Sequence, residues 1–418
     1  MENLSKINLD ELITKSFSCD CGEVHKVDAK IYRGEYISSL KTTLSGLGNN
    51  GCFISFNYTF KDFEKGITTL SEQTGVEITP LIMNKKFDNS IENLSGLFAL
   101  SSDIAFAIVV DDELLSVAKY FTAIRNIPLI YIPTSPNTFG VLDVTAEIKL
   151  KGKTERINAN NPRIIVLDEG LLKNSEKRKI ANAFCDIVSK IIALLDYRVR
   201  GSISGKWLCK NSYNLARSVV IDTFSVLTYE NAPLKLAENG LKLSVASAYT
   251  QGEIFENSAE NLTAKLLRYM GKERLPVSEC RLIAMRKLIG IYKLFFGEKT
   301  TGILEMPDYI ERAEEFSALT GISELEVLNG FKESVYTNDE VRKKVFFIAK
   351  ELYAEIDKLS LLVNKINNTY VLLGGSEDLE SNFTTEEIRR AIYHSTDFPY
   401  AVNILTLIRD TGMLELIK

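Results

Sequence analysis

Histidine is almost absent from this sequence of 418 residues. The two histidines that occur, His25 and His394, stand near opposite ends of the chain. Histidine is the usual neutral ligand for zinc and iron and the usual acid–base group near pH 7. Its scarcity therefore argues against any site built from several histidines of one chain.

Other scarcities limit the class of protein further. Six cysteines in a chain of this length do not make a disulfide framework, which favours a reducing, cytoplasmic setting. No apolar run approaches the roughly 20 residues that a membrane helix needs, and the polar segment 1–15 lacks the apolar region of a signal peptide. The formal net charge of −5 gives no sign of a nucleic-acid partner. We expect a globular cytoplasmic protein without a membrane span.

The first part of the chain alternates short apolar runs with helical patterns. Strands apolar on both faces and separated by helices indicate a parallel sheet with helices on each side. The pattern predicts strands at 51–57, 76–83, 104–110, 128–132 and 164–167, helices at 58–74, 90–98 and 113–125, and a hairpin arm at 144–150.

From about residue 174 the pattern becomes helical. Apolar residues recur at helical spacing through 175–198. Further helices are predicted at 212–228, 233–247, 256–270, 276–296, 308–319, 323–333, 338–364, 384–394 and 400–410, with one strand at 369–373. We therefore predict an α/β nucleotide-binding-type domain over 1–170 and a helical metal- and substrate-type domain over 171–418.

Several short motifs occur in an order that resembles one known family. They are Cys19-x-Cys21-Gly22-x-x-His25, Asn57–Phe60 after the first strand, Pro133–Pro136 followed by Gly140, Asn161–Asp168, Cys185-Asp186-x-x-x-Lys190, and a tail with Thr384–Ile392, Tyr400 and Gly412–Leu414. This order is similar to that of glycerol-1-phosphate dehydrogenases, within the glycerol dehydrogenase and dehydroquinate synthase superfamily. No single motif is specific, and the shared order over nearly the whole chain carries the resemblance.

The resemblance implies a Rossmann-like sheet domain followed by an all-α domain, as in dehydroquinate synthase and iron-containing alcohol dehydrogenases. In the family, NAD(P)H gives a hydride to dihydroxyacetone phosphate while a divalent metal (zinc, nickel or iron) polarises the carbonyl. The expected metal ligands are one aspartate and two histidines. The family also implies a small phosphorylated metabolite as ligand and a homo-oligomer.

Only one of the three implied metal ligands is present. Asp186 keeps the aspartate position, whereas Asn261 and Val277 stand where the histidines are expected. An asparagine oxygen suits hard cations and binds zinc or iron poorly, and valine has no ligand atom. Asp186 is either a residual ligand or the partner of Lys190 in an ion pair four residues along a helix, and we prefer the ion pair.

The remaining candidate site residues follow from their places in the motifs. Lys190 and Glu279 are candidate catalytic residues, and Asn57, Thr134 and Ser135 are candidate cofactor-binding residues. They remain candidates because the motifs that place them are individually weak.

The turn expected to hold the cofactor pyrophosphate is altered. The family has a glycine-rich turn, which lets backbone amides approach the phosphates, but Val110–Glu113 occupies that place here. Three acidic side chains there oppose a bound dianion. Alternatively, Asp111 or Asp112 caps the following helix. In either case a phosphate cradle is absent, so both NAD(P) and the metal are doubtful as cofactors.

The N-terminal Cys19, Cys21 and His25 resemble metal ligands in type. Three ligands within seven residues are too few and too tightly spaced for a closed zinc site. We therefore prefer to interpret this motif as a structural element of the family.

Three hypotheses for function follow. The first is a divergent relative without metal-dependent hydride transfer, with a binding, regulatory or subunit role, for example beside an active relative. The second is an active enzyme that reduces dihydroxyacetone phosphate with NAD(P)H or performs altered sugar- or polyol-phosphate chemistry. The third is an unrelated doubly wound domain whose motif order arose by chance, in which case the second half need not be all helical.

Overall fold

The structure is a computed structural model, and it describes residues 6–84, 90, 94, 97, 103–150, 153–204, 208–225, 232–271, 274–297, 308–332 and 339–414. The chain forms two compact units. The first comprises Met1–Ala183 and Leu227–Gln251, and the second comprises Phe184–Val226 and Gly252–Lys418. The single boundary that we predicted near residue 170 therefore differs from the observed division, in which one later segment returns to the first unit.

The returning segment is the helix Ala232–Tyr249, which packs on a loop of the first unit. Thr138 Oγ1 donates to the carbonyl of Ala237 at 2.5 Å, and Ser244 Oγ donates to the carbonyl of Thr138 at 3.0 Å. A Cβ at Gly240 would lie 2.4 Å from Thr138 Oγ1, so the close approach requires glycine. A helical sequence pattern cannot reveal such a long-range partner, which is why the single boundary was predicted.

The first unit contains a six-stranded parallel sheet and two small antiparallel pairs. The strands are β1 (Phe17–Ser18), β2 (Val24–His25), β3 (Lys30–Arg33), β4 (Asn50–Phe56), β5 (Glu77–Met83), β6 (Phe106–Val109), β7 (Leu129–Tyr131), β8 (Thr145–Leu150), β9 (Lys153–Asn158) and β10 (Ile164–Leu167). The large sheet has the order β3-β10-β7-β6-β4-β5, and β1–β2 and β8–β9 form the two antiparallel pairs. The strands that we predicted from apolar runs all belong to the large sheet. We predicted β8 as a hairpin arm, and we did not predict β3.

Burial on both faces holds the sheet in the core. Side chains such as Phe53, Phe106 and Val166 are completely buried. The helix Asn57–Thr74 covers one face through Phe63 and Leu70, among others, and ends at a left-handed glycine. The other helices of this unit include Leu9–Thr14, Tyr36–Lys41, Leu115–Arg125 and Glu169–Lys173. The helix predicted at 90–98 lies almost entirely outside the described residues.

Within its described residues, the second unit has only helices as regular elements. They include Lys190–Ser204, Lys210–Ser225, Ala259–Met270, Val277–Gly297, Tyr309–Thr320, Glu324–Lys332, Asp339–Leu372, Thr385–His394 and Ile404–Asp410, and the helix Lys177–Val188 also ends in this unit. The architecture is therefore the predicted one, an α/β domain and an all-α domain. No described helix has the length and apolar character needed to cross a membrane.

One predicted element of the second unit is wrong. We predicted a strand at 369–373, but the helix that begins at Asp339 continues to Leu372. Thr369, Tyr370 and Val371 are strand-favouring residue types, yet Tyr370 is buried and its hydroxyl donates to Glu279 Oε1 at 3.1 Å. Tertiary packing outweighs local propensity at this position.

Candidate functional site

An arginine contacts Asp186, the residue that the resemblance predicts as a metal ligand. Arg281 Nη1 donates to Asp186 Oδ1 at 2.5 Å. The same guanidinium donates to Asn261 Oδ1 from Nη2 at 3.0 Å and from Nε at 3.2 Å. The aspartate at the ligand position and the asparagine at a histidine position are therefore brought together, and one guanidinium joins them.

The geometry of this contact explains why arginine stands here. The Asp186 side chain is only 4% exposed and that of Arg281 is 15% exposed. A buried carboxylate is costly unless a cation compensates it, and a guanidinium offers several donors in a fixed plane. Arg281 lies four residues after Val277 on the helix Val277–Gly297, so the two positions share a helix face. The face on which a histidine was expected therefore carries an arginine one turn later.

Lys190 has a different principal partner from the one we predicted. Its Nζ lies 3.2 Å from Glu260 Oε1, and both side chains are buried, with exposures of 1% and 0%. The helical path is interrupted at Ser189, so Asp186 and Lys190 belong to two successive helices and the expected four-residue geometry does not apply. Burial, together with the charge of Arg281, lowers the pKa of Lys190 to about 8.

Glu279 lies in the first turn of the helix Val277–Gly297 and is completely buried. Its Oε1 accepts from the hydroxyl of Tyr370, which in turn accepts from the backbone N–H of Ser376 at 3.2 Å. Burial raises the pKa of the Tyr370 hydroxyl, and the neighbouring Cys185 and Glu279 raise it further. The two predicted catalytic residues, Lys190 and Glu279, are thus buried members of hydrogen-bonded pairs.

Sequence reasoning missed Asp196, a buried carboxylate near this group. It accepts from the backbone N–H of Ala259 at 2.8 Å, from that of Ile404 at 3.0 Å, and from the hydroxyl of Tyr292 at 2.8 Å. Burial raises its pKa to about 7. Asp196 thereby holds the start of the helix that carries Glu260. The detectable signal was an acid directly after an unbroken apolar run, 191–195.

The acidic turn of the first unit is held by its own side chains. Asp111 accepts from the backbone N–H of Phe56 at 2.8 Å and from Thr59 Oγ1 at 2.6 Å. Asp112 accepts from the hydroxyl of Tyr131 at 2.6 Å and from the hydroxyl of Ser135. These contacts connect the turn to the carboxyl ends of β4 and β7, the edge at which ligands of parallel sheets usually bind.

The capping alternative for this turn is wrong for Asp111. Asp111 precedes the short helical turn Asp112–Leu114, but its side chain makes no capping hydrogen bond there. Its carboxylate instead lies at the start of the helix Asn57–Thr74, where a negative charge is favourable.

The predicted cofactor-binding hydroxyls face the acidic turn. Thr134 Oγ1 donates to the carbonyl of Val110 at 3.2 Å, and Ser135 donates to Asp112. Asn57 is exposed at the first position of its helix. Two of the three predicted residues therefore stabilise the substituted turn through their side chains.

The electrostatics of this edge are unfavourable for an anion. Burial raises the pKa of Asp112 to about 6 and also raises that of Asp111, because poor solvation disfavours the charged carboxylate. Lys179 is the nearby cation. Its burial lowers its pKa, but the charges of Glu113 and Asp112 outweigh that effect and raise it. The lysine is thus committed to the carboxylates of the turn.

Solved structures define the class of fold. Over 94% of this chain and 98% of the other, the fold matches a sulfoacetaldehyde reductase from Bifidobacterium kashiwanohense in complex with NAD+, with a TM-score of 0.60 and 12% identity. An iron-containing alcohol dehydrogenase from Thermococcus thioreducens matches over the same shares with a TM-score of 0.57 and 14% identity. The fold is that of the iron-containing alcohol dehydrogenases, and the hypothesis of an unrelated doubly wound domain is wrong.

Comparison of sequences points to one group of enzymes within this fold. A glycerol-1-phosphate dehydrogenase [NAD(P)+] from Metallosphaera sedula is 29% identical over 102 residues, which are 24% of this chain and 29% of the relative. One from Bacillus licheniformis is 25% identical over 162 residues, which are 37% of this chain and 40% of the relative. The chain thus spans about a third of the length of these curated relatives, and no family model matches it. The predicted resemblance is confirmed, because over these segments the chain is similar in sequence to glycerol-1-phosphate dehydrogenases.

Proposed function

We propose that this chain is a glycerol-1-phosphate dehydrogenase-like protein that does not carry out metal-dependent hydride transfer and has a binding, regulatory or subunit role. The observation that carries the proposal is the guanidinium of Arg281, which is bonded to both Asp186 and Asn261. A positive group of the protein itself takes up the carboxylate that a metal ion would need.

The residues present do not fit a zinc, nickel or iron ion at this position. Asp186 already has a cationic partner, Asn261 is a poor ligand for these metals, and Val277 offers no donor atom. A divalent ion beside Asp186 would also meet the like charge of Arg281, which is only 15% exposed and therefore weakly screened. The pairing of Asp186 with Arg281 and the presence of Asn261 and Val277 therefore each disfavour binding of such an ion.

The acidic turn supports the same proposal for the nucleotide. The family turn binds a pyrophosphate through backbone amides, whereas Asp111 and Asp112 place carboxylates there and bind the surrounding donors themselves. A small phosphorylated metabolite, rather than a dinucleotide, remains our proposed ligand. We also propose a homo-oligomer or an assembly with an active relative.

Steady-state kinetics test the proposal directly. The purified full chain is incubated with NADH or NADPH, dihydroxyacetone phosphate and added zinc or nickel, and oxidation of the cofactor is followed by absorbance. We expect no turnover above the rate without protein, while the Bacillus licheniformis relative, assayed in parallel, serves as the positive control. Metal-dependent turnover by this chain would refute the proposal.

A second candidate function has one observation in its favour. Lys190 and Glu260 form a buried pair with Nζ 3.2 Å from Oε1, and burial, together with the charge of Arg281, lowers the pKa of the lysine to about 8, which allows proton transfer near neutral pH. An active enzyme could use these groups for sugar- or polyol-phosphate chemistry, or for reduction of dihydroxyacetone phosphate. Calorimetric titration with sugar phosphates, and product analysis with wild-type and Lys190→Met protein, distinguish the two candidates. Product formed only by the wild type would favour the enzyme.

A further inference from the structure

The N-terminal cysteine and histidine motif forms a small hairpin in the first unit. β1 pairs antiparallel with β2, and Phe17 lies opposite His25. In the connection, Gly22 donates its N–H to the carbonyl of Cys19 at 3.0 Å, and Cys19 donates to that of Glu23 at 3.1 Å. Gly22 has a φ of 90°, which favours glycine at that position of the turn. The hairpin therefore folds the motif back on itself.

This folding brings the possible ligand atoms together. The sulfur atoms of Cys19 and Cys21 and a ring nitrogen of His25 all lie within 4.8 Å of one another. Cys21 Sγ lies 3.3 Å from His25 Nε2. Zinc–sulfur bonds of about 2.3 Å in a tetrahedral site place two sulfurs about 3.8 Å apart, so these spacings are close to those of a bound ion.

The imidazole of the hairpin is held in place by its surroundings. His25 is only 4% exposed and its ring stacks on Tyr249, with centroids 4.6 Å apart and planes inclined by 13°. Tyr249 is itself fixed, because its hydroxyl donates to the carbonyl of Leu12 at 2.8 Å. Both residues belong to the first unit. A ligand that is already oriented loses little conformational freedom when it binds a metal.

We propose that Cys19, Cys21 and His25 bind one zinc ion, with two thiolates and one imidazole as protein ligands and a further donor completing the coordination. Thiolate and imidazole together favour zinc over the hard cations. On binding, the two S–H bonds break and release their protons to solvent, and each thiolate sulfur forms a bond to zinc. The site stabilises the N-terminal hairpin and uses none of the residues around Asp186. The proposal does not depend on the proposed function.

Metal analysis of the full chain tests this site. The protein is expressed with zinc, purified with a reductant, and its zinc is measured by mass spectrometry. We expect about one zinc per chain for the wild type. After exchange with cobalt, we expect a thiolate-to-cobalt charge-transfer band in the near ultraviolet. Cys21→Ser and His25→Gln should each lose the zinc and the band. Cys21 is only partly buried, so a serine hydroxyl there keeps access to water.

Two control variants locate the ion. Cys52→Ala removes a buried thiol from β4, and Asp186→Asn removes the buried carboxylate that pairs with Arg281 in the second unit. We expect both to keep the zinc. Addition of a chelator should lower the unfolding temperature of the wild type and leave that of Cys21→Ser unchanged. The proposal is overturned by wild-type protein without bound zinc, by zinc that is lost in Asp186→Asn but kept in Cys21→Ser, or by a native mass showing a disulfide between Cys19 and Cys21.

Discussion

The carboxylate of Asp186 depends on a single arginine for its strongest contact. Replacing Arg281 by leucine leaves a charge that is 4% exposed without this cation. We expect Arg281→Leu to lower the free energy of unfolding by about 3 kcal/mol at pH 7, the usual cost of breaking a buried pair from one side. Denaturant unfolding measures the change.

A double variant identifies the cause. Arg281→Leu/Asp186→Asn removes both charges, so no charge is left buried without a partner, and we expect it to regain part of the stability that Arg281→Leu loses. Arg286→Leu, on the same helix, is the control. Its side chain is 26% exposed and pairs with Glu380, so we expect a loss of less than about 1 kcal/mol. An equal loss in the two single variants would contradict this account.

Removal of the Asp112 charge should stabilise the protein, whereas removal of the Arg281 charge should destabilise it. Its folded pKa is about 6, above the usual 3.8, because burial penalises the carboxylate. The contribution of Asp112 to wild-type stability should therefore become more favourable as the pH falls from 6 toward 4. Asp112→Asn should stabilise the protein at pH 7 by about 1–3 kcal/mol, at 1.4 kcal/mol for each unit of raised pKa.

A matched variant separates this effect from net charge. Glu113 is exposed and adjacent, so Glu113→Gln should change the stability by less than about 0.5 kcal/mol. Both variants are compared by thermal unfolding at pH 7 and pH 4. If the gain of Asp112→Asn were the same at both values, burial of the charge would not be its source.

Among the elements, the helix Thr385–His394 has a well-defined start. Thr384 Oγ1 accepts from the N–H of Glu387 at 3.1 Å, and the Glu387 carboxylate accepts from the N–H of Thr384 at 2.7 Å. Loss of such a cap costs about 1 kcal/mol. We therefore expect Thr384→Ala to lower the unfolding temperature, whereas Thr385→Ala, one residue later and outside the cap, should have little effect. Equal shifts would argue against the capping interaction.

The backbone hydrogen bond from Thr384 also lowers the pKa of Glu387, so the cap should weaken in acid as that carboxylate is protonated.

The elements that the sequence predicts well are those with a clear hydrophobic pattern or a clear capping motif. The buried strands β6 and β10 are continuous apolar runs, and Thr384 with Glu387 has the spacing of a capping box. β3 escaped prediction because its burial is irregular, since Ile31 is the one buried residue among its four. The interruption at Ser189 also escaped, since apolar spacing continues through it. The hydrophobic pattern therefore predicts whether a segment is a helix or a strand better than it predicts where that element begins and ends.

At the scale of the whole molecule, the sequence predicts which residues are missing better than which residues replace them. The scarcity of histidine and the identity of Asn261 can be read directly from the sequence. The partner of Asp186 is not, because Arg281 is 95 residues away along the chain and only the fold brings them together. The zinc-binding hypothesis changes for the same reason, since spacing along the chain hides the proximity that an antiparallel hairpin creates.

Binding of nucleotide by the whole chain is the remaining prediction. A dinucleotide at the carboxyl ends of β4 and β6 would place its pyrophosphate near Asp111, Asp112 and Glu113, whose charges repel it. We expect calorimetric titration of wild-type protein with NADH or NADPH to give a dissociation constant no tighter than about 1 mM, which corresponds to about −4 kcal/mol.

The double variant Asp112→Asn/Glu113→Gln removes two of the charges while keeping side chains of similar size. It should bind at least as well as the wild type, and any gain should diminish with added salt, because screening weakens the repulsion in the wild type. Micromolar binding by the wild type would contradict the electrostatic argument and favour the active-enzyme candidate.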